Sequence, residues 1–232
     1  MRTIINQDAI PWLQEPANRI PQASVVTSLP DISEVPQRGF DGWKAFFGEA
    51  ARLVAAWVPD DGVAIFFQSD IKHEGRWLDK GYWVQRALED TGSKLLWHKI
   101  VCRRPAGTVT YGRASYSHML CFSRGVVPAA DRSFADVLPE AGHMPWTRAM
   151  GTNACLAACK FVAQQTTCRT IVDPFCGYGT ALAVANAMGM TAVGVELSAR
   201  KCRKARALSF SLDANGTLAV PPLTATFPPP PS

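Results

Sequence analysis

The fold of this chain is decided by one stretch of sequence, IVDPFCGYGT, which spans residues 171–180. Its first residues end an apolar run that is typical of a buried strand. Gly177 and Gly179 then let the backbone pass close to a ligand, because glycine has no side chain to obstruct the approach. An alanine-rich helix is predicted to begin at Thr180, and helix N-termini favour polar and anionic groups. This order of strand, glycine-rich turn and helix indicates a ligand-binding site.

A carboxylate follows at the end of the next predicted strand, residues 191–195. Glu196 is placed to accept two hydrogen bonds from a ribose diol, and it stands 19 residues after Gly177. That spacing is typical of a βαβ nucleoside site. A dinucleotide fingerprint would require a small residue at position 182, which is Leu182. A glycine-rich turn with a purely structural role is the remaining alternative.

Apolar periodicity predicts strands and helices that alternate along most of the chain. The predicted strands are residues 3–5, 23–27, 63–67, 94–102, 116–122, 169–172 and 191–195, and the predicted helices are 40–57, 82–90, 153–163, 180–188 and 198–208. Such alternation favours an α/β, doubly wound sheet that is mostly parallel. A basic loop joins two of the strands, 94–102 and 116–122, and therefore suggests an antiparallel edge. Sheets of this kind bind ligands at the carboxyl ends of their strands.

Composition limits the class of protein. The chain has 232 residues, of which 47% are hydrophobic and 19% charged, as in an ordinary globular domain. The net charge of +5 permits nucleic acid as a partner without requiring it. Seven irregularly spaced cysteines without a C-x-x-C pair argue against disulfides and zinc. We predict one domain over residues 1–210 and a disordered, proline-rich tail over 211–232. Without a signal peptide or an apolar membrane span, we expect no membrane partner and a cytoplasmic or other reducing compartment.

The motif at residues 173–180 resembles D-P-F-x-G-x-G-T of the S-adenosylmethionine-dependent methyltransferases that modify exocyclic amines of nucleic-acid bases. The resemblance implies a Rossmann-like, class I methyltransferase fold with a seven-stranded, mostly parallel sheet and an antiparallel edge strand. It implies S-adenosylmethionine as the cofactor and no metal, and it makes residues 1–210 a catalytic domain. The cofactor-binding residues that it implies are Asp8, Asp173, Phe175, Gly177, Gly179, Thr180 and Glu196.

The same family has a second signature, D/N/S-P-P-Y/F/W, at the end of another strand. An exocyclic amine is a poor nucleophile because its lone pair is delocalised into the ring, so two acceptors are needed to orient it. The matching stretch is Ser28-Leu29-Pro30-Asp31, which we take as the catalytic residues. Ser28 and the Leu29 carbonyl would orient the amine. Asp31 replaces the usual aromatic residue and would accept a hydrogen bond or a proton. An ordinary strand-to-turn junction is the alternative.

The catalytic motif precedes the cofactor motif along the chain, which resembles the circularly permuted members of this family. Because Asp31 cannot stack on a base, we expect Phe40 and Trp43 to supply the stacking. Arg103, Arg104 and Arg113 lie in the basic loop and are predicted to contact nucleic acid. DNA enzymes of the permuted class insert a large target-recognition region, for which only residues 123–146 are available here. A lone catalytic domain that acts on RNA, or one that acts with a protein partner supplying target recognition, is therefore favoured over a DNA enzyme.

The sequence thus predicts a methyltransferase that acts on a nucleic-acid base. Two alternatives remain open. The departures at Leu29 and Asp31 would suit a non-catalytic, cofactor-binding or scaffolding subunit of a methyltransferase complex. The enzyme could instead methylate a protein side-chain amide or a small molecule, whose binding would not depend on salt as phosphate contacts do.

Overall fold

An eight-stranded sheet forms the centre of the computed structural model, which describes residues 1–219. Its strands are β1 (Arg2–Ile5), β2 (Ala23–Thr27), β3 (Ala64–Gln68), β6 (Lys94–Cys102), β7 (Tyr116–Ser123), β8 (Val137–Leu138), β9 (Thr170–Asp173) and β10 (Thr191–Val195). Two short pairs lie outside it: β4 (Ile71–His73) with β5 (Arg76–Leu78), and β11 (Ser211–Leu212) with β12 (Leu218–Ala219).

Six α-helices accompany these strands in the described part of the chain. They are α1 (Ala9–Gln14), α2 (Gly39–Trp57), α3 (Lys80–Leu88), α4 (Thr152–Gln165), α5 (Thr180–Ala187) and α6 (Ala199–Ala207). Within residues 1–219, no helix combines the length and the apolar character that crossing a membrane requires.

The strand order across the sheet is β1-β10-β9-β2-β3-β7-β6-β8. The five strands from β1 to β3 are parallel, which confirms the mostly parallel α/β fold. The predicted position of the antiparallel strand is wrong. That strand is β7, and it lies inside the sheet because it pairs with both β3 and β6. The edge is β8, an eighth strand of two residues that the loop after β7 brings back beside β6.

Both faces of the sheet are buried. Along β3, Ile65 and Phe67 belong to one apolar core, whereas Ala64 and Phe66 belong to the other. Side chains alternate between the faces of a strand, so a strand covered on both sides reads as a continuous apolar run. Helix α2 contacts both α1 and α3, and α5 contacts both α4 and α6. The helices cover the faces of the sheet and leave the carboxyl ends of the parallel strands open.

Residues 211–219 belong to the folded domain, although the sequence analysis assigned them to the tail. They form the antiparallel pair β11–β12, in which Leu212 lies opposite Leu218. Leu218 is only 8% exposed because it packs into the apolar core. The rest of the predicted tail, residues 220–232, lies outside the described residues.

Replacing Gly194 by alanine is expected to destabilise the fold. A Cβ atom at this position in β10 would overlap Leu182 Cδ1 and would lie 2.8 Å from Cys176 Sγ. Overpacking of this kind costs about 1–3 kcal/mol of unfolding free energy, which urea denaturation would measure. Gly48→Ala is the matched control. The added Cβ there lies 3.7 Å from the flexible end of Arg52, so the helix should be unchanged or slightly stabilised. Equal effects at the two positions would contradict the tight packing of β10 on α5.

Candidate functional site

The glycine-rich turn connects the end of β9 to the start of α5. Gly177 and Gly179 have φ angles of +54° and +75°, in the left-handed region that favours glycine. Gly179 also approaches α6 closely, since a Cβ on it would lie 3.0 Å from Ala205 Cβ. Glu196 follows β10, and its carboxylate accepts hydrogen bonds from the backbone N–H groups of Gly177, at 3.1 Å, and Ser198, at 2.7 Å. The turn and Glu196 therefore form one unit.

A cavity of about 370 Å³ opens above this turn, and we call it the first cavity. Six of the seven predicted cofactor-binding residues line it: Asp8, Asp173, Phe175, Gly177, Thr180 and Glu196. The seventh, Gly179, does not line the cavity and packs on α6 instead. Trp146 also lines the cavity and stacks on Tyr178, with ring centroids 5.1 Å apart. The structure therefore brings residues from both ends of the chain to one concave site.

Asp173 is a buried carboxyl group in the wall of the first cavity. Burial raises its pKa from 3.8 to about 7, although two hydrogen bonds favour the ionised form. The carboxyl Oδ1 accepts one from Thr27 Oγ1 at 2.6 Å and one from Phe175 N at 3.1 Å. The raised pKa means that ionising this carboxyl group costs free energy. A cation bound in the cavity would offset that cost.

The Asp173→Asn variant is expected to gain stability relative to the wild-type protein as the pH rises. Asparagine keeps an Oδ1 acceptor for both hydrogen bonds but does not ionise. Between the ordinary pKa near 3.8 and the folded value of about 7, the unfolded wild-type chain loses a proton that the folded chain retains. Wild-type stability therefore falls across this range relative to that of the variant. Urea denaturation at several pH values would measure the difference, and a constant difference would contradict the raised pKa.

A second cavity, of about 550 Å³, adjoins the first. Three residues line both cavities, namely Ser28, Glu34 and Arg148. Ser28 directly follows β2, at the carboxyl edge of the sheet. Leu29 and Asp31 line the second cavity, and Pro30 lines the first. The predicted catalytic stretch therefore forms the boundary between the two cavities.

Glu34 helps to hold this boundary in place. Its carboxylate accepts a hydrogen bond from Asp31 N at 3.2 Å. It also lies 3.8 Å from Arg148 and 3.5 Å from Lys201, both of which line the first cavity. The turn that follows the catalytic stretch is thereby fastened to two other segments of the site.

Asp31 is paired with Lys80, a residue that sequence reasoning missed. Lys80 is 2% exposed, and its Nζ atom donates to Asp31 Oδ1 at 2.5 Å. Lys80 and Asp31 both line the second cavity. The sequence held one signal for this pair. Lys80 begins α3, where the helix dipole disfavours a positive charge, so a nearby acidic partner could have been expected.

The backbone of Lys80 is fixed by the buried carboxylate of Asp70, a residue that sequence reasoning also missed. Asp70 accepts hydrogen bonds from Lys80 N at 2.9 Å, from Tyr116 Oη at 3.1 Å and from His118 Nε2 at 3.1 Å. Burial alone would raise the pKa of Asp70, but these bonds and the charge of His118 hold it below its usual value. His118 Nδ1 in turn lies 2.9 Å from His98 Nε2.

Asp70 and His118, together with Asp79, offer ligand atoms within 4.8 Å of one another, a spacing that would suit a metal ion. The carboxylate of Asp70 already accepts three hydrogen bonds. Asp79 caps α3 by accepting one from Tyr82 N at 2.8 Å. These contacts account for the cluster as a hydrogen-bond network that holds Lys80 against Asp31.

The predicted stacking residues, Phe40 and Trp43, line neither cavity. Trp43 is 0% exposed, so it cannot stack on a substrate base in this conformation. Its indole Nε1 donates to the carbonyl of Pro30 at 3.0 Å and so fixes the catalytic stretch from behind. Phe40 stacks on His73, with ring centroids 3.8 Å apart. The prediction is therefore wrong for Trp43, because the apolar face of α2 turns its ring into the core, whereas the stacking role of Phe40 stays a prediction.

The three predicted arginines, Arg103, Arg104 and Arg113, all line the second cavity. Arg103 donates to the carbonyl oxygens of Ala149, at 3.2 Å, and Thr147, at 2.9 Å. Burial, and then the positive charges of the other two arginines, lower its pKa. Arg103 therefore fastens the basic loop to the segment that carries Arg148. Arg104 and Arg113 are exposed at the rim.

Replacing Lys80 by methionine is expected to lower the free energy of unfolding by about 3 kcal/mol, because the Asp31 carboxylate, whose side chain is 16% exposed, loses its cation. The double variant Lys80→Met with Asp31→Asn should recover part of this loss, as urea denaturation of the four proteins would show. Lys44→Met is the control, since Lys44 pairs with Asp41 at the surface and such pairs contribute less than about 1 kcal/mol. Additive losses in the double variant would argue against the ion pair.

No protein-family model and no curated protein matches this chain. Solved structures do match. One is a protein of Thermus thermophilus assigned as a DNA modification methylase, with a TM-score of 0.66, 20% identity, and coverage of 88% of this chain and 93% of that chain. The same protein complexed with S-adenosyl-L-methionine has a TM-score of 0.64.

Two further solved structures are similar over most of their length. The M1.HpyAVI complex with SAM has a TM-score of 0.58 and 13% identity over 89% of this chain and 97% of that chain. The cytosine-N4-specific PvuII DNA methyltransferase has a TM-score of 0.64 and 13% identity over 88% of this chain and 85% of that chain. At these identities the likeness shows the fold, which is Rossmann-like and shared with methyltransferases.

Proposed function

We propose that this chain is a methyltransferase that transfers a methyl group from S-adenosylmethionine to the exocyclic amino group of a nucleic-acid base. The observation that carries the proposal is the meeting of the two cavities at Ser28. The first cavity has the glycine-rich turn and Glu196, whereas the second is lined by arginines. A donor and an acceptor bound in adjoining chambers would meet at this boundary, as group transfer requires.

The first cavity fits S-adenosylmethionine. This cofactor supplies a methyl group on a positively charged sulfur. Asp8, Asp173 and Glu196 bring carboxyl groups to this cavity, and such groups can stabilise a cation. The Glu196 carboxylate accepts two backbone hydrogen bonds, and its remaining lone pairs are free for ribose hydroxyls. Two of the similar solved structures are complexes with S-adenosylmethionine, and a third is a DNA methyltransferase. These descriptions support this choice of cofactor.

The catalytic stretch supplies hydrogen-bond acceptors for an amine. Ser28 Oγ is one acceptor. The carbonyl oxygen of Leu29 is a second, because no group within residues 1–219 donates to it. Two acceptors favour the amine geometry in which the lone pair points at the methyl group. Lys80 occupies Oδ1 of Asp31, which leaves Oδ2 to accept a hydrogen bond or the proton that the amine releases.

The arrangement of the strands supports a circularly permuted order of motifs. Strand β1, from the start of the chain, pairs with β10, which precedes Glu196. Strand β2, which carries the catalytic stretch, lies beside β9, which carries the glycine-rich turn. The two motifs are therefore neighbours in the sheet although they are far apart in sequence. We infer that this chain follows the permuted order.

DNA is the substrate that we propose first. The sequence by itself favours RNA, because the chain offers little room for a target-recognition region. The similar solved proteins, however, include a DNA modification methylase and a cytosine-N4-specific DNA methyltransferase, which favours DNA. RNA, a protein partner that supplies target recognition, and a cytoplasmic location stay predictions.

Methyl transfer from labelled S-adenosylmethionine to DNA and, separately, to RNA tests the proposal. Wild-type protein should label DNA. Ser28→Ala should lower the rate by roughly 100-fold, because a misplaced nucleophile reacts slowly, while cofactor affinity changes little. Ser133→Ala, at an exposed serine that lines neither cavity, is the control and should keep the wild-type rate.

Three other results would lead to different conclusions. Label in RNA alone would restore the RNA preference. Cofactor binding by calorimetry without transfer to any nucleic acid would favour the non-catalytic subunit or an acceptor of another class. A Ser28→Ala variant with the wild-type rate would remove the assigned role of Ser28.

A further inference from the structure

We infer that this protein binds its target as a single strand, on a surface beside the second cavity that we call the aromatic rim. The aromatic rim consists of the hairpin β4–β5, residues 71–78, and the loop of residues 103–115. This inference rests on the proposed function, because it names the form of nucleic acid that the same site accepts.

Both segments of the aromatic rim are connected to residues that line the second cavity. Ser69 and Lys80 flank the hairpin in sequence, and both line that cavity. The loop contributes Arg103, Arg104, Thr110, Arg113 and Ala114 to the same wall. The two parts also touch each other, since Lys72 Nζ donates to the carbonyl of Tyr111 at 2.8 Å. The aromatic rim therefore lies directly beside the second cavity.

Large apolar side chains are exposed on this surface. Tyr111 is 83% exposed and Trp77 is 49% exposed. Lys72 Nζ lies 4.8 Å from the centre of the Trp77 ring, so the cation and the ring form one contact. Exposed aromatic rings beside a binding site are stacking platforms for nucleic-acid bases, each contributing a substantial part of the affinity.

The charge of the aromatic rim suits a phosphate backbone. Its two segments contain five basic residues and one acidic residue, Glu74; the basic residues are Lys72, Arg76, Arg103, Arg104 and Arg113. Basic side chains next to aromatic rings are the combination with which proteins hold single strands. The chain as a whole has a net charge of only +5, so positive charge is concentrated here.

A single strand fits this surface better than a duplex. The bases of a duplex are covered on both faces by their neighbours, so rings such as Tyr111 and Trp77 have nothing to stack on. The bases of a single strand have free faces, and one base can enter the second cavity without being unpaired first. The cost of extruding a base from a duplex, which is a few kcal/mol, is then avoided.

Fluorescence anisotropy with a labelled oligonucleotide of about 16 nucleotides tests the inference. The single strand, as DNA and as RNA, is compared with the blunt duplex of the same sequence. We expect the single strand to bind at least about 10-fold more tightly. Tyr111→Ala should weaken single-strand binding about 10-fold, and Tyr111→Phe should restore it because the ring is kept. Tyr111 is so exposed that these variants should fold, which circular dichroism would check.

A matched pair of arginines tests the contribution of charge. Arg76→Gln should reduce the slope of log affinity against log salt concentration by about 0.7, as expected for one lost phosphate contact to a single strand. Arg203→Gln, on the exposed side of α6 and away from both cavities, should leave the slope unchanged.

The outcomes separate this inference from the proposed function. Methyl transfer to DNA together with equal binding of duplex and single strand would overturn the single-strand inference and leave the methyltransferase proposal in place. Unchanged binding by Tyr111→Ala would do the same. Protein that neither binds nor methylates any nucleic acid would overturn both.

Discussion

One buried hydrogen bond holds the two halves of the site together. Thr27, the last residue of β2, donates to the carboxyl group of Asp173, the last residue of β9. The glycine-rich turn starts directly after Asp173, and Ser28 directly follows Thr27. The positions of both cavities therefore depend on two adjacent strands ending at the same level. A carboxyl group that is buried away from water is costly to ionise. A positively charged ligand nearby would therefore favour its ionised form.

The local part of the site could be predicted because each signal is contained in a few neighbouring residues. Gly177 and Gly179 are needed where the backbone turns, and Glu196 follows a strand that is recognisable by itself. Their positions agree with the sequence analysis, apart from the packing of Gly179 on α6. The parallel half of the sheet could also be predicted, because strands buried on both faces read as apolar runs between helices.

Long-range contacts could not be predicted in the same way. Lys80 is separated from Asp31 by 49 residues, and its role depends on where α3 begins relative to the catalytic stretch. Trp43 looked available for a substrate only because sequence periodicity does not show which ring packs behind Pro30. The inner position of β7 likewise depends on its long-range pairing with β3. The edge strand β8 has only two residues and is too short to recognise from sequence.

The pairing of β1 with β10 has a consequence for how the chain folds. Arg2 lies opposite Ala192, so during synthesis β1 waits for a partner strand 190 residues further along the chain. At ordinary rates of translation, which are about 5–20 residues per second, that wait lasts roughly 10 to 40 s. Contacts between segments so distant in sequence also slow folding, because a large loop must close before they form. During synthesis, the edge of the sheet that β1 forms is therefore completed last.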